Sequence, residues 1–409
     1  LKAIAADISS FAPPVEHQLE VGGRSRVALP AGLPRIAGLA LAHPDTAYTQ
    51  EQVLERLGLA DDEFAQRIFA RCGVQRRRLR LDDDFLDATA QARTPAIERM
   101  LLEEAVRAVD ELAIDPAEIG VVVTSSLYTL AGPTLAHRLL EHYRMDPSTD
   151  KYHIVGVGCA SAVPLVRLAG QTLAGRPGGA GAAAGAGTAA GTGGARGARG
   201  SQTKALIVAA ESMSGILSRA REDDERSKTV GSSIFGDGCA AALVELAGPG
   251  ELAGPGASPP SGDSAGPVVI ASKVHQVPAS LGAVRMQLEP DDSYLHLIRE
   301  LPEVAAEGLG ELADEFLAAN GLEREDVDRW LLHPGGRRII ESLQGGLGLS
   351  REQAQSSFDV LAEHGNIGTP AIFYVMQRSL QQRPPAASEH AMMVTVGPGV
   401  TVGLMLLRW

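Results

Sequence analysis

The sequence predicts a layered α/β fold built from two related halves. Three observations carry this expectation. Apolar runs of strand length alternate with stretches of helical spacing. The alternation starts afresh at Val268, beyond a Gly-, Pro- and Ser-rich stretch from Ala247 to Pro267. The chain has 409 residues, 44% of them apolar, which suffices for two or three domain-sized cores.

In the first half, 1–246, Ile97, Leu101, Ala105, Ala108 and Leu112 recur at helical spacing, with Thr94-Pro95 as the expected helix start. Ile119 to Thr124 reads as a strand. Tyr152 to Val157 reads as an apolar strand leading into Cys159, and Ala160 to Leu173 as the helix after it. Residues 175–200, almost all Gly and Ala, form a low-complexity insertion expected to loop outside the core. Leu206 to Ala210 is a buried-type strand, and Phe235 to Val244 a turn followed by a strand. The second half, 268–409, opens with a strand at Val268 to Ala271 and has helical material from Tyr294 to Asn320. Trp330 to Leu332 is a short strand ending at His333. Thr369-Pro370 caps a helix from Ala371 to Leu380. Met392 to Val396 and Val400 to Leu407 close the chain as a strand pair around Gly397-Pro398-Gly399.

Composition excludes several function classes. A net charge of −13 argues against a nucleic-acid or anionic-membrane surface. The three cysteines, Cys72, Cys159 and Cys239, contain no CxxC pair, so neither a disulfide framework nor a Cys-type metal site is expected, and the setting is the reducing cytoplasm. Residues Leu1 to Asp7 lack the apolar core of a signal peptide, and the apolar run Ala391 to Leu407 is broken by its turn, so no membrane span is expected. The Gly-rich insertion matches neither GxxxxGK[ST] nor GxGxxG.

Cys159 is the most informative residue. A thiol where a strand runs into a helix meets unpaired backbone N–H groups and the helix dipole, which favour a thiolate. Thiolates attack thioesters, so acyl transfer through a covalent acyl-enzyme is the first expectation. Taken alone, Cys159 reads more readily as a core cysteine. His333-Pro334-Gly335-Gly336 and Gly365-Asn366-Ile367-Gly368-Thr369-Pro370 change that weighting, each placing a polar side chain at a junction where backbones run close.

With Phe235-Gly236-Asp237-Gly238, Trp330 to Gly336 and the closing Gly397-Pro398-Gly399-Val400-Thr401-Val402, these segments resemble the type III polyketide synthases, the chalcone-synthase-like branch of the thiolase superfamily. The resemblance spans most of the chain. It implies a thiolase-like fold whose halves stack as five layers, αβαβα. It implies Cys159 as the nucleophile that accepts a starter acyl group, His333 and Asn366 as the pair on the malonyl thioester oxygen, and Phe235 as an aromatic gate. It further implies acyl-CoA starter and malonyl-CoA as substrates, no bound cofactor, no metal, and a homodimer. An acyl carrier protein as starter donor stays open, as does the single-condensation chemistry of the ketoacyl-ACP synthases III. A non-catalytic partner subunit is a further alternative, disfavoured because Cys159, His333 and Asn366 are all retained. The chemistry asks for the same set: an enolate formed by loss of CO2 needs its oxyanion held, and two N–H donors do so. An imidazolium beside Cys159 would keep the sulfur ionised.

Other readings compete at several positions. Asn366 could serve as a turn residue and Phe235 as a packing residue. Arg67 and Arg71 share a helix face in a basic stretch continuing through Arg76, Arg77, Arg78 and Arg80. By resemblance they would meet coenzyme A phosphates, and otherwise they form a solvated face balanced by Asp82-Asp83-Asp84. Met213, Ile216, Met286 and Leu295, with Ile367-Gly368 in place of a Ser-containing pair of the plant relatives, predict an apolar cavity suited to an aliphatic starter.

Overall fold

The computed structural model describes residues 32–128, 132–176, 202–220, 226–248, 266–288 and 293–409. The expected Gly/Ala insertion lies outside them except at Gly175 and Arg176, as does the Gly/Pro/Ser-rich stretch except at its ends.

Among the described residues nine strands make the main sheet: β1 (Pro34–Ala42), β4 (Ile119–Ser125), β5 (Asp150–Ile154), β6 (Lys204–Glu211), β7 (Gly238–Leu246), β8 (Val268–Gln276), β11 (Arg329–Leu332), β12 (His390–Gly397) and β13 (Thr401–Arg408). Two hairpin-like pairs stand apart from it: β2 (Ala47–Thr49) with β3 (Arg76–Arg78), and β9 (Val284–Leu288) with β10 (Ser293–Leu297). The main order is β11-β12-β13-β8-β1-β7-β6-β4-β5. Its middle join is short: Arg35 of β1 stands opposite Val268 of β8, and Ile36 N–H donates to Pro267 O at 3.0 Å. The sheet therefore behaves as two leaves, one from each half of the sequence.

Side-chain alternation stacks the leaves. In the first leaf Val121, Val123, Ala205, Ile207, Ala209, Ala240 and Ala242 face the helices Ala162–Gly175 and Ala371–Gln382. Their neighbours Val122, Leu206, Val208 and Ala241 face the outer helices Ala90–Glu111 and Leu135–His142. In the second leaf Leu331, Ala391, Met393 and Met405 meet the same two central helices, while Trp330, Leu332, Met392, Val394 and Leu404 meet the outer helices Leu309–Ala318 and Arg337–Gly346. The result is the expected αβαβα stack. The inner strands β4, β6, β12 and β13 are buried on both faces, which explains why they read as apolar runs, whereas the edge strand β5 and much of β8 are not.

Three elements differ from expectation. The first long helix begins at Ala90, capped by Thr89, whose hydroxyl accepts from Ala92 N–H at 3.2 Å; Thr94 instead turns its hydroxyl back to Ala90 O at 3.4 Å, and Pro95 lies inside the helix. Tyr294 to Leu297 is strand, not helix: it pairs with β9 and alternates, burying Leu295. The strand before Cys159 ends at Ile154, and as the edge of the sheet it leaves Tyr152 exposed.

Candidate active site

Cys159 sits in a single 3-10 turn, Gly158–Ser161, ahead of the helix Ala162–Gly175. The closing strand pair is pressed against this turn. A Cβ on Gly397 would stand 2.4 Å from Val157 O and 2.8 Å from Ala160 N, so only glycine fits there. The Gly397-Pro398-Gly399 segment thus matters for close approach as well as for turning the chain.

The second leaf delivers His333 and Asn366. Strand β11 runs parallel to β12, and His333 N–H donates to Val394 O at 2.9 Å, which extends the ladder to the residue itself. Its imidazole is buried, and Nδ1 has no hydrogen-bond partner. Asn366 is fixed from the other half: its N–H donates to Ile234 O at 2.7 Å, and Gly236 N–H donates to Asn366 O at 3.1 Å. Its side-chain oxygen accepts from Gly368 N–H at 3.0 Å. That contact settles which end of the amide faces the sulfur: the NH2 group reaches Cys159 and, at 3.4 Å, Gly335 O. Gly368 adopts φ +67°, and a Cβ there would lie 2.8 Å from Glu211 Cγ.

Cys159, His333 and Asn366 line one cavity of about 690 Å³, counted with its open mouth. Of the other expected residues, Phe235, Met213, Leu295 and Gly368 line it as well. Ile216 does not; it packs with Met213 and Leu295 in the cluster behind the wall, and Met286 lies against that same cluster. Arg67 and Arg71 also lie off the cavity lining. Both are exposed on the helix Glu63–Arg71, where Arg67 stands 3.8 Å from Glu63. The basic stretch is not one face, because Arg77 is fully buried, donating to Phe235 O at 2.9 Å and Ser232 O at 2.6 Å.

The electrostatics depart from the expected thiolate–imidazolium pair. Burial, followed by the charge of Glu211, pushes the Cys159 thiol up to about 12, and burial takes His333 down to about 3. Cys159 keeps part of its surface open to the cavity, yet the walls around the sulfur are apolar enough for desolvation to outweigh the turn's N–H groups and the Asn366 bond. At neutral pH the resting pair is thiol and neutral imidazole.

Relatives of known type place this arrangement. The family described as chalcone and stilbene synthases, C-terminal domain, matches residues 268–409, and that described as FAE1/type III polyketide synthase-like protein matches residues 40–183. The chain belongs to the type III polyketide synthase family. It is 26% identical to a 3,5-dihydroxyphenylacetyl-CoA synthase of Streptomyces toyocaensis over 92% of this chain and 90% of that one. It is 27% identical to the alpha-pyrone synthesis polyketide synthase-like Pks18 of Mycobacterium tuberculosis, over 93% and 92%. The crystal structure of PKS-I from the brown alga Ectocarpus siliculosus superposes with a TM-score of 0.73 at 24% identity, covering 92% of this chain and 98% of that one, a likeness of fold. As a type III polyketide synthase the chain is an acyl-transferring enzyme of thiolase-like fold, working on coenzyme A thioesters. Among the described residues no helix is long and apolar enough to cross a membrane.

Two residues at this polyketide synthase site escaped the sequence analysis. Glu211 lines the cavity and accepts from Leu127 N–H at 2.9 Å, with burial raising its carboxyl to about 8. Its signal was a lone carboxylate closing the apolar run of β6. Arg77 was hidden in a run of arginines that composition alone cannot sort into buried and exposed.

Proposed function

We propose that this synthase loads an acyl group from an acyl-CoA onto Cys159 and extends it by decarboxylative Claisen condensation with malonyl-CoA, and that the product cyclises to a pyrone or resorcinol. The observation that carries this reading is the meeting of Cys159, His333 and Asn366 on one apolar cavity. In the first step the neutral thiol gives its proton to the neutral imidazole of His333 as the sulfur attacks the acyl carbon. The buried pair is then charged only while substrate fills the site. In the second step an N–H of His333 and the NH2 group of Asn366 receive the thioester oxygen of malonyl-CoA, holding the enolate charge as CO2 departs. The enolate carbon attacks the Cys159 thioester, and the lengthened chain returns to coenzyme A for reloading.

Met213, Ile234, Phe235, Leu295 and Leu297 give the cavity an apolar wall. An aliphatic starter fits it, and the alpha-pyrone synthesis in the name of the mycobacterial relative supports a pyrone product. Arg67 and Arg71 remain our candidates for the coenzyme A phosphates, and we place the enzyme in the cytoplasm as a homodimer without a bound cofactor. Purified protein supplied with acyl-CoAs of increasing chain length and malonyl-CoA, without carrier protein, should yield pyrones or resorcinols by mass spectrometry. Product only after a carrier protein is added would favour the single-condensation alternative.

A further inference from the structure

Behind the reaction cavity lies a second, much smaller chamber, about the size of one water molecule, and Glu211 lines both. The chamber is closed by Glu104 of the first long helix, Asp237, Ser212 and the apolar Met100, Leu101 and Ala210. Two of its oxygens have no hydrogen-bond partner: Ser212 Oγ, in a residue 2% exposed, and Glu104 Oε2, in a residue 8% exposed. Buried polar atoms of that kind call for an ordered water, and the chamber has room for one. Asp237 is not open in the same way, since its two oxygens accept from Ser214 N at 2.7 Å and Ser214 Oγ at 2.6 Å. On its far side Glu104 reaches the surface, where Oε1 stands 3.8 Å from Arg107 Nη1 and Arg107 pairs with exposed Asp45 at 3.1 Å.

Thr369 ties the inner end of the chamber to the nucleophile turn. Its hydroxyl donates to Gly158 O at 2.8 Å, in the residue before Cys159, and it also contacts Glu211. Burial raises the Glu211 carboxyl to about 8, so it holds its proton at neutral pH.

The reaction needs such a group. When the new C–C bond forms, the C–S bond to Cys159 breaks and its electron pair stays on sulfur. The carboxylate of malonyl-CoA leaves as CO2 without its proton. Each extension therefore consumes one proton, taken up by the sulfur of Cys159 or, on reloading, by the departing coenzyme A thiolate. We propose that Glu211, a water held in the chamber and Glu104 form a proton route that returns this proton from solvent to the reaction cavity. Glu211 gives its proton to the thiolate and becomes a carboxylate; Glu104 replaces it through the water and is itself recharged beside Arg107 and Asp45. With Glu104 raised to about 6 and Glu211 to about 8, both by burial, the inward transfer runs downhill. The inference rests on the condensing function proposed above.

Glu104→Gln keeps the shape of the chamber and removes its proton carrier; Ser212→Val fills the chamber and keeps the carrier. Both are measured against wild type in two assays: single-turnover loading of Cys159 from acyl-CoA, which consumes no net proton, and steady-state extension with malonyl-CoA. In both variants extension should slow by at least about tenfold with loading unchanged. Imidazolium or another small weak acid in the buffer should restore extension in Glu104→Gln. Wild-type extension rates in both variants would overturn the route. So would a loss shared equally by loading and extension, or a Glu104→Gln loss that no added acid repairs, since either marks a structural effect. Failure of wild-type protein itself to extend any acyl-CoA would instead overturn the condensing function, and the route with it.

Discussion

The two halves of the molecule meet at the cavity with different tasks. The first half contributes the atom that reacts, Cys159, on a turn one step ahead of a central helix. The second contributes hydrogen-bond donors, His333 at the end of a parallel strand and Asn366 beyond a helix. The first half is also the scaffold for the second: Asn366 is bonded through its backbone to Ile234 and Gly236, and Arg77 in turn holds the carbonyls of Ser232 and Phe235. Nucleophile and oxyanion donors thus come from separate leaves, and neither leaf makes a site by itself. Loading and decarboxylation should be separable by mutation.

The sharpest test of that division is Cys159→Ala. Acyl loading should vanish, with no acyl-enzyme mass shift, while malonyl-CoA decarboxylation, followed as CO2 or acetyl-CoA, persists because the donors survive. Complete loss of both would mean that the two tasks share the sulfur. Asn366→Ala is the mirror experiment. Removing one of two oxyanion donors should lower decarboxylation by about 10²–10³ and leave stoichiometric loading intact. An unchanged decarboxylation rate would remove Asn366 from the oxyanion pair.

The resting charge state is tested without mutation. With the Cys159 thiol held near 12, only a small fraction is thiolate at pH 7, and that fraction rises about tenfold for each pH unit below the pKa. Alkylation of Cys159 by iodoacetamide, followed by peptide mapping to separate it from Cys72, should therefore accelerate by at least about tenfold between pH 7 and 9, short of the full hundredfold because Glu211 ionises near 8 and its charge raises the thiol further. A rate flat across that range would show a standing thiolate–imidazolium pair.

How much of this was legible follows from where each constraint resides. The layered α/β fold in two halves could be read because the inner strands are buried on both faces, which writes them as apolar runs; the number of layers came with the family resemblance. Cys159, His333 and Asn366 could be read because glycines stand beside them: Gly158 and Gly365 take positive φ, and a Cβ on Gly365 would lie 2.4 Å from Ile234 O. The strand over the cavity reads as helical material because the alternation of Tyr294-Leu295-His296-Leu297 is too short to separate strand from helix. The charge state was misread for a different reason. Helix-end N–H groups appear in the sequence as local pattern, whereas the desolvation that overrides them comes from walls assembled out of distant segments. Arg77 is the same case: being buried or exposed is not written in a run of arginines.

Arg77 also yields a stability test of the scaffold. Arg77→Ala would leave Phe235 O and Ser232 O without donors in a site of no solvent access, and would empty the volume beside Phe69, whose ring lies 5.6 Å from the guanidinium. A loss of about 3 kcal/mol in unfolding free energy is expected, read from denaturant melts. Decarboxylation should fall more than loading, because the displaced segment, the end of the helix Arg226–Ile234 and the residues after it, is the one that holds Asn366. Equal losses in the two activities would deny the first half its scaffolding task.

The smallest effect expected separates the wall of the cavity from the layer behind it. Leu295 touches the cavity space, whereas Ile216 only supports it. Leu295→Ala should therefore change which starter is preferred, shifting kcat/KM toward longer acyl-CoAs by about tenfold, the worth of one or two methylenes in an apolar pocket. Ile216→Ala removes comparable apolar volume from packed surroundings. It should lower stability by about 2–4 kcal/mol while leaving the order of preference among starters unchanged. The pair is informative because the two side chains lie in one cluster and differ chiefly in whether a substrate can reach them. If Ile216→Ala reordered the starters as Leu295→Ala does, the wall would be yielding under substrate, and the cavity's width would be set by the packing depth behind it instead of by its lining.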